Sequence, residues 1–567
     1  VLQNGIFDAA CIYHYYDYDI SNMIEHDTML MAHTLGCDLE LGLDYLSEKY
    51  LGEKKIEISK KHHELSKEEM EEYCLKDVEL THRLCQVFLD NPEFPRKLYY
   101  NEVMPLYREV TIKMKYKGLK VNTKYFKDLI VTLNLTTKSI AFDINEEISD
   151  KIEKIKEAIL DDTYKTSKNS KYGKMAIEMF GKLELPRDYE LQLKTHLWLL
   201  ENPNNPYIFN INSSDQLAWL LFKAYGETPT VISKESKKPS VDKEVLESFK
   251  HIPFINTLLK LRQEKKLLST YAKPILEKSI DGWIYPNMNQ AGTSSGRYSS
   301  NNPNFQNIPA GDLRIKKGIV APVGYKIVSA DFSSLEPRCF AETSGCRRLI
   351  EAYKKGEEFY SRVAIDVLKI SGLSAMPNDE NALKKKDPKK RDQTKRFALS
   401  IVYGAKAWKI SQILGITEEE AQKLIDTYFE IYPELKEYMN KQENTLIMEG
   451  KVVSRFGRVV HLDYNNADKK LRHKYLNLAK NHPIQSLAAH ITNHAAIDTA
   501  RELIKNNVEG QIVSQCHDEI IMYIRNKDAK RAASILKDCM EDNEITRQMS
   551  VPFIVEPMIG NNLSEAK

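Results

Sequence analysis

Residues 513–522 read VSQCHDEIIM, setting His517, Asp518 and Glu519 side by side inside an otherwise apolar run. A carboxylate buried without a partner is costly, so two in a row call for water or for cations. Taken alone, the stretch fits a surface hairpin, with QIVSQC and IIMYI as strands and the three polar residues as its wet tip. A second segment, YKIVSADFSSLEPR (325–338), reads as a buried strand ending at Asp331. Ser333 or Ser334 is placed to cap a following helix, and Pro337 suits its first turn, where no backbone N–H is needed. Acids at two such strand ends could share a pair of divalent cations. Mg2+ takes hard oxygens from one or two carboxylates and from substrate phosphates, and two such ions stabilise the attacking and leaving oxygens of an in-line phosphoryl displacement.

That chemistry also needs positive charge for a polyphosphate. RDQTKRFALSIVYG (391–404) spaces Arg391, Lys395, Leu399 and Tyr403 at i, i+4, i+8 and i+12, a slowly turning helix face. Arg391 and Lys395 would neutralise phosphate, with Leu399 and Tyr403 further along facing sugar and base. The same spacing also describes an ordinary amphipathic helix with a basic end. No GxxxxGK(S/T) run is present, so the phosphate grip is not a P-loop.

The elements that carry these residues sit in a chain of 567 residues, long enough for three to five domains or subdomains. Hydrophobic residues make up 42% and charged residues 29%, which suits a globular protein without a membrane span. No signal peptide is visible. Eight cysteines without a CxxC pair argue against a zinc site or a disulfide framework and for a reducing compartment. The net charge of +2 says little about partners, but LKKKDPKKRDQTKR (383–396), SKESKKPS (233–240) and RQEKK (262–266) are basic runs, either solvated or phosphate-contacting. Residues 1–95 mix short apolar runs with helical patterns, and 96–280 read mostly as helix, for example over 256–279, with a Pro/Asn-rich break at 201–214. From 281 short strands and turns dominate, and helices return over 341–447.

Six segments, in order, resemble the motifs of the family A DNA polymerases, related to bacterial DNA polymerase I. DFSSLEPR (331–338) is similar to the first palm motif, the Arg391–Lys395–Tyr403–Gly404 pattern to the fingers helix, and QCHDE (515–519) to the second palm motif. NQAGTSSGRYSSNNPNFQNIP (289–309) resembles the template–primer segment, NHPIQSLAAH (481–490) the N-x-x-x-Q motif, and RQEKKLLSTY (262–271) the thumb base. At the N-terminus, NGIFD (4–8) and YCLKD (73–77) look like the second and third motifs of a proofreading 3′–5′ exonuclease, with HDTMLMAHTL (26–35) and LGLDYLSEKYLG (41–52) as its intervening helices. The first exonuclease motif, D-x-E, is absent; DLE at 38–40 has the letters but stands in the wrong place. The chain is therefore expected to start inside that domain, with the natural protein beginning earlier, supplying D-x-E and alone proofreading.

The resemblance implies an α/β (α+β) multidomain fold: a right-hand polymerase with palm, fingers and thumb after an incomplete RNase H-like exonuclease domain. The expected domains are 1–95 exonuclease, 96–282 palm entry and thumb with an insertion near 140–205, 283–340 palm, 341–475 fingers and 476–567 palm. It implies template-directed DNA synthesis in replication, with two Mg2+ ions (Mn2+ able to substitute) held by Asp331, Asp518 and the Phe332 carbonyl, and Glu519 in support. Arg391 and Lys395 would hold the triphosphate, Lys395 as general acid; Leu399, Ser334 and Tyr360 would line the nucleotide site; Glu336 and Tyr403 would form the gate against a 2′-hydroxyl. Arg297, Gln306, Asn307, Arg314, Asn481, Gln485 and His517 would contact primer and template. Asn4, Asp8, Tyr73 and Asp77 are the exonuclease remnant. Partners are primer–template DNA and deoxynucleoside triphosphates, with no processivity factor named; the protein is expected to be a monomer in the cytoplasm, that of a bacterial host if phage-encoded.

Leu399, Tyr360, Ser334, Pro337 and Asn477 depart from the cellular pattern, and look more like bacteriophage members. Single-subunit RNA polymerases share the palm acids and the fingers helix, but a small residue is expected where Glu336 stands, and no exonuclease segment. A non-catalytic DNA-binding scaffold would have no need of Asp331, Asp518, Arg391 and Lys395.

Overall fold

The computed structural model describes residues 1–36, 40–57, 64–149, 151, 211–233, 237–309 and 311–567. The DLE at 38–40 thus falls almost wholly outside the described residues, as does most of the insertion expected near 140–205. Two compact units emerge: 1–123 with 278–567, and 124–277. Residues 96–123 belong to the larger unit.

At the centre of the larger unit is an antiparallel sheet of β1 (Tyr325–Asp331), β2 (Gly510–Cys516), β3 (Glu519–Arg525) and β4 (Met558–Gly560), in spatial order β4-β1-β3-β2. β3 lies inside the sheet and is buried from Glu519 to Ile524. A strand covered on both faces needs apolar residues at consecutive positions, which the run Ile520 to Ile524 supplies. The β1–β3 register sets Asp331 directly opposite Glu519. β2 and β3 are joined by the two-residue turn His517–Asp518, so Glu519 opens a buried strand instead of sitting on the tip. The hairpin is where the sequence put it; its end is lined by protein. A register shift between Ile512 and Ser514 leaves Val513 as a bulge, a device that bends a strand and re-aims its later side chains.

The N-terminal segment folds as α1 (Ile6–Tyr16), α2 (Thr28–Thr34), α3 (Leu43–Leu51) and α4 (Lys67–Asp90) around Leu30, Leu46, Leu84 and Phe88. α4 starts with a Ser66/Glu69 capping box. Asp27 caps α2, and its buried carboxylate also accepts from the Gly5 N–H at 2.8 Å and the Tyr107 hydroxyl at 3.0 Å. The smaller unit packs α5 (Thr123–Glu147) and α6 (Pro253–Lys266) around Ile144, Leu220 and Leu258. α6 continues through a π-helical turn, 267–272, so the helix expected over 256–279 forms.

Four helices frame the sheet end: α7 (Leu335–Ser344), α8 (Phe359–Asp366), α9 (Pro388–Val402) and the long α10 (Lys469–Lys505). Ser334 is the N-cap residue of α7, but it sits at φ +56° and makes no side-chain cap bond, and Ser333 does not take that place; the expected capping interaction is absent because the tight exit from β1 uses a left-handed residue there. α9 begins properly, with the Asp387 side chain accepting from the Lys390 N–H at 2.8 Å and Pro388 in the first turn. It ends where Gly404 takes φ +77°, a conformation that favours glycine, with Asn477 Oδ1 2.6 Å from where a Cβ would stand. Glu102, buried, accepts from Arg458 at 2.7 Å and Asn493 at 2.6 Å and meets His490, which ties 96–123 to α10. No described helix is long and apolar enough to cross a membrane.

Candidate active site

Asp331 ends β1, Asp518 occupies the turn, and Glu519 starts β3, so three carboxyls from two distant segments meet at one end of the sheet. All three line a cavity of about 270 Å³, together with Lys316, Lys567 and His517. Asp331 is open to solvent on one side and crowded by protein on the other. Desolvation first, then the charges of Glu519 and Asp518, push its carboxyl up to about 6. Asp518 is raised as well, chiefly by burial, with Glu336 adding and Arg297 opposing. Three carboxyls lining one cavity are a surplus of hard oxygen and negative charge, and such a donor set fits divalent cations. Phe332 packs into the core against Phe553, which fixes the backbone beside Asp331.

Arg297 crosses the site. Its Nη1 donates to Glu336 Oε1 at 2.7 Å and its Nη2 to Asp518 Oδ1 at 3.2 Å. Burial opposes the Arg297 charge, but Asp518 and Glu336 outweigh it and its pKa is raised. The other Glu336 oxygen accepts from the Tyr403 hydroxyl at 3.0 Å, and Gln485 on α10 reaches the same hydroxyl. Burial and then Glu336 push that phenol up to about 12, so it stays a donor at neutral pH. Residues expected to gate the sugar thus form one chain with a residue expected on the primer.

The hairpin turn is held from outside. His517 sits at φ +54°, a conformation that His tolerates better than most residues. Gln306 is buried; its Oε1 accepts from the His517 N–H at 2.9 Å and its Nε2 donates to the Gln515 carbonyl at 2.8 Å. The Gln306 carbonyl accepts from His517 Nε2 at 2.7 Å, which places the proton on that nitrogen, because a carbonyl cannot donate. So the Gln306 side chain is engaged with the turn. Asn307 is exposed nearby, Arg314 bonds Asp312 at 2.7 Å, and Asn481, one turn before Gln485, is buried and donates to the Asn477 carbonyl at 2.8 Å.

The ring of buried Tyr360, on α8, lies 5.4 Å from the Arg391 guanidinium and 6.0 Å from Lys395 Nζ, both on α9, so one ring meets both cations. Arg391 is also oriented by Glu358, whose Oε1 it meets at 2.9 Å, while Glu358 Oε2 caps α8 by accepting from Ser361 N at 2.7 Å. Leu399 is half-buried against the core, one helical turn before Tyr403. Glu358, Lys316 and Lys567 were not found by sequence reasoning. Glu358 carried one usable signal, an acidic residue three before Ser361 at a helix start; the lysines carried none, since only the fold brings them near the acids.

The exonuclease-like residues fall on two helices. Asn4, at φ +57°, precedes α1, which carries exposed Asp8. Tyr73 and Asp77, one turn apart on α4, both meet Lys55 Nζ at 2.7 Å.

The profile of DNA polymerase family A matches residues 189–565, and that of a 3′-5′ exonuclease matches residues 1–91. DNA polymerase I of Caldicellulosiruptor bescii is 32% identical over 63% of this chain and 41% of its own length. The thermostable DNA polymerase I of Thermus aquaticus is 30% identical over 63% of the chain and 42% of its length. DNA polymerase I of Helicobacter pylori is 26% identical over 87% of the chain and 53% of its own length. The chain therefore spans about half the length, or less, of these curated relatives. Among solved structures, the POL domain of Pol1 from M. smegmatis, in complex with DNA primer-template and dNTP, covers 95% of this chain and 82% of its own, with TM-score 0.71 and 22% identity, a likeness of fold.

Proposed function

The chain belongs to DNA polymerase family A, and from that premise we propose that it extends the 3′ end of a DNA primer on a template, joining deoxynucleotides and releasing pyrophosphate. The observation that carries this reading is the convergence of Asp331, Asp518 and Glu519 beside the Arg297–Glu336–Tyr403 chain. Asp331 and Asp518, with the Phe332 carbonyl, would hold two divalent cations, Mg2+ or in its place Mn2+. Bound there, the ions would supply charge stabilisation to the attacking and leaving oxygens.

The protein's own groups do the rest. Arg391 and Lys395, presented on the Tyr360 ring, bind the triphosphate, and Lys395, which is exposed, is placed to give a proton to the departing pyrophosphate. The bond between Glu336 and Tyr403 fills space that a 2′-hydroxyl would need, which favours deoxynucleotides and the DNA enzyme over an RNA polymerase. Arg297, Asn307, Arg314, Asn481, Gln485 and His517 line the path of the primer–template, and Ser334 lies beside Glu336. Polar contacts to shape and to minor-groove acceptors suit an enzyme that must copy any sequence. Leu399 and Tyr360 are read as phage-type nucleotide handling. The protein is taken to act as a monomer in the cytoplasm.

Primer extension tests the reading. Asp331→Asn or Asp518→Asn should lower the extension rate by about a thousandfold or more, since each acid positions a cation. Duplex binding should persist. Extension near the parental rate in either variant would remove the assignment.

A further inference from the structure

Lys567 is delivered to the acid cluster by its own backbone. The chain leaves β4 at Gly560 and turns at Asn562, whose Oδ1 accepts from the Ser564 N–H at 3.0 Å and the Glu565 N–H at 3.2 Å. Leu563 is buried and its N–H donates to the Ile319 carbonyl at 2.9 Å. The Ser329 hydroxyl donates to the Ala566 carbonyl, and both residues are buried. Ser329 lies on β1, two residues before Asp331. Gly560 lets the segment lie this close, because a Cβ there would meet Glu565 Cβ at 2.5 Å. Residues 561–566 thus form a strap fixed to the catalytic strand itself.

At the end of the strap, Lys567 Nζ donates to Glu519 Oε2 at 2.8 Å. Lys316, buried and lining the same cavity, is a hydrogen-bonding neighbour of Lys567. Glu519 has a particular need of this partner. It is 4% exposed, and the ladder sets it directly opposite Asp331. Like charges opposite one another across a strand pair repel, and a carboxylate in that position turns to whatever cation is near. Besides Lys316, which lines the same cavity, two cations would compete for it: a divalent ion held by Asp331 and Asp518, or Lys567, which makes the direct bond.

We infer that Lys567 is a positioning residue that draws Glu519 aside, keeping it from closing over the space between Asp331 and Asp518. Glu519 then shapes the field of the site without occupying a coordination position. This rests on the polymerase reading, and the two can fail separately.

The test measures Mn2+ binding to the whole chain without DNA or nucleotide, by the electron paramagnetic resonance of the free ion, with primer extension across Mg2+ concentrations alongside. Lys567→Gln should bind Mn2+ about fivefold more tightly, because one positive charge leaves the cluster and Glu519 is released into it. Its maximal extension rate should fall while half-saturation by Mg2+ moves to lower concentration. Lys567→Arg, which keeps the charge, should stay within about twofold of the parent on both measures. The Lys567→Gln/Glu519→Gln double variant should return to the parental Mn2+ affinity, as coupled neighbours do in a double-mutant cycle. Ser329→Ala loosens the strap without touching a charge and should shift Mn2+ affinity in the same direction as Lys567→Gln, which keeps the inference testable if that variant does not fold. Mn2+ binding unchanged in both Lys567→Gln and Ser329→Ala, or an Arg variant that behaves as Gln does, overturns the inference. A parent that does not extend primers overturns the polymerase reading; a parent that extends them, with Mn2+ binding indifferent to Lys567, overturns only the role of Lys567.

Discussion

Glu336 serves two neighbours at once. One oxygen holds Arg297 at 2.7 Å, and the other accepts from Tyr403 at 3.0 Å. Truncating it opens the space beside the sugar and releases Tyr403, so Glu336→Ala should raise ribonucleotide incorporation by about tenfold or more, the worth of roughly one good hydrogen bond or a steric clash. Competition between ribo- and deoxynucleotides on one template reads it; unchanged discrimination would mean that the gate lies elsewhere. Asp331 makes a different statement, about stability. Its carboxyl is ordinarily near 3.8 and is raised to about 6 in the fold. A raised carboxyl disfavours the charged form, so its cost to the fold is absent below about pH 4, grows as pH rises, and is complete above about pH 6. In EDTA, Asp331→Asn should therefore melt at a higher temperature than the parent at pH 8, with the gain fading toward pH 4. A variant that is less stable at pH 8 would contradict the crowding of Asp331 by its neighbouring acids.

At the level of elements, the site is a strand end, a two-residue turn and the start of a helix, each held by something outside itself. Gln306 is the clearest case. It satisfies the His517 N–H and the Gln515 carbonyl, both in the hairpin. Gln306→Ala leaves those groups without their partner and should cost about 1–3 kcal/mol, the penalty of an unmade buried hydrogen bond. The urea midpoint, measured without DNA, checks this; a residue that served only to touch DNA would leave it unmoved. The same residue shows what the sequence could and could not convey. Strand β1 ending at Asp331 and the β2–β3 hairpin were legible because a buried run next to an acid has few other meanings. The face of helix α9 was legible from the spacing of Arg391, Lys395 and Leu399. The partner of Gln306 was not, since it lies 211 residues away. Neither were the missing cap bond at Ser334, which depends on a local φ, nor the contact of Lys567 with Glu519, which depends on the strap. Motifs carry what is local; long-range partners are decided by the fold.

Over the whole molecule, 82 basic and 80 acidic residues leave a net charge of only +2, too little for a global field to gather DNA. For the proposed polymerase, attraction would then come from local clusters. The lysine-rich entry to α9 is the densest one in the sequence, and Lys384, Lys385, Lys386 and Lys389 are exposed there. Each phosphate that such a group neutralises releases condensed counterions. About four of them would give a slope near −3.6 in a plot of log affinity against log salt, or roughly a hundredfold weaker binding between about 50 and 200 mM. If this run lies along the DNA backbone, Lys384→Glu and Lys389→Glu together should flatten the slope by about two, because each removes one counterion-releasing contact. The effect should be the same on any duplex sequence, since phosphates carry no sequence information. Titration of a fluorescent primer–template at several salt concentrations measures it. A slope unchanged by the double substitution would assign these lysines to solvation alone, and the DNA contacts would then fall to the residues that line the palm.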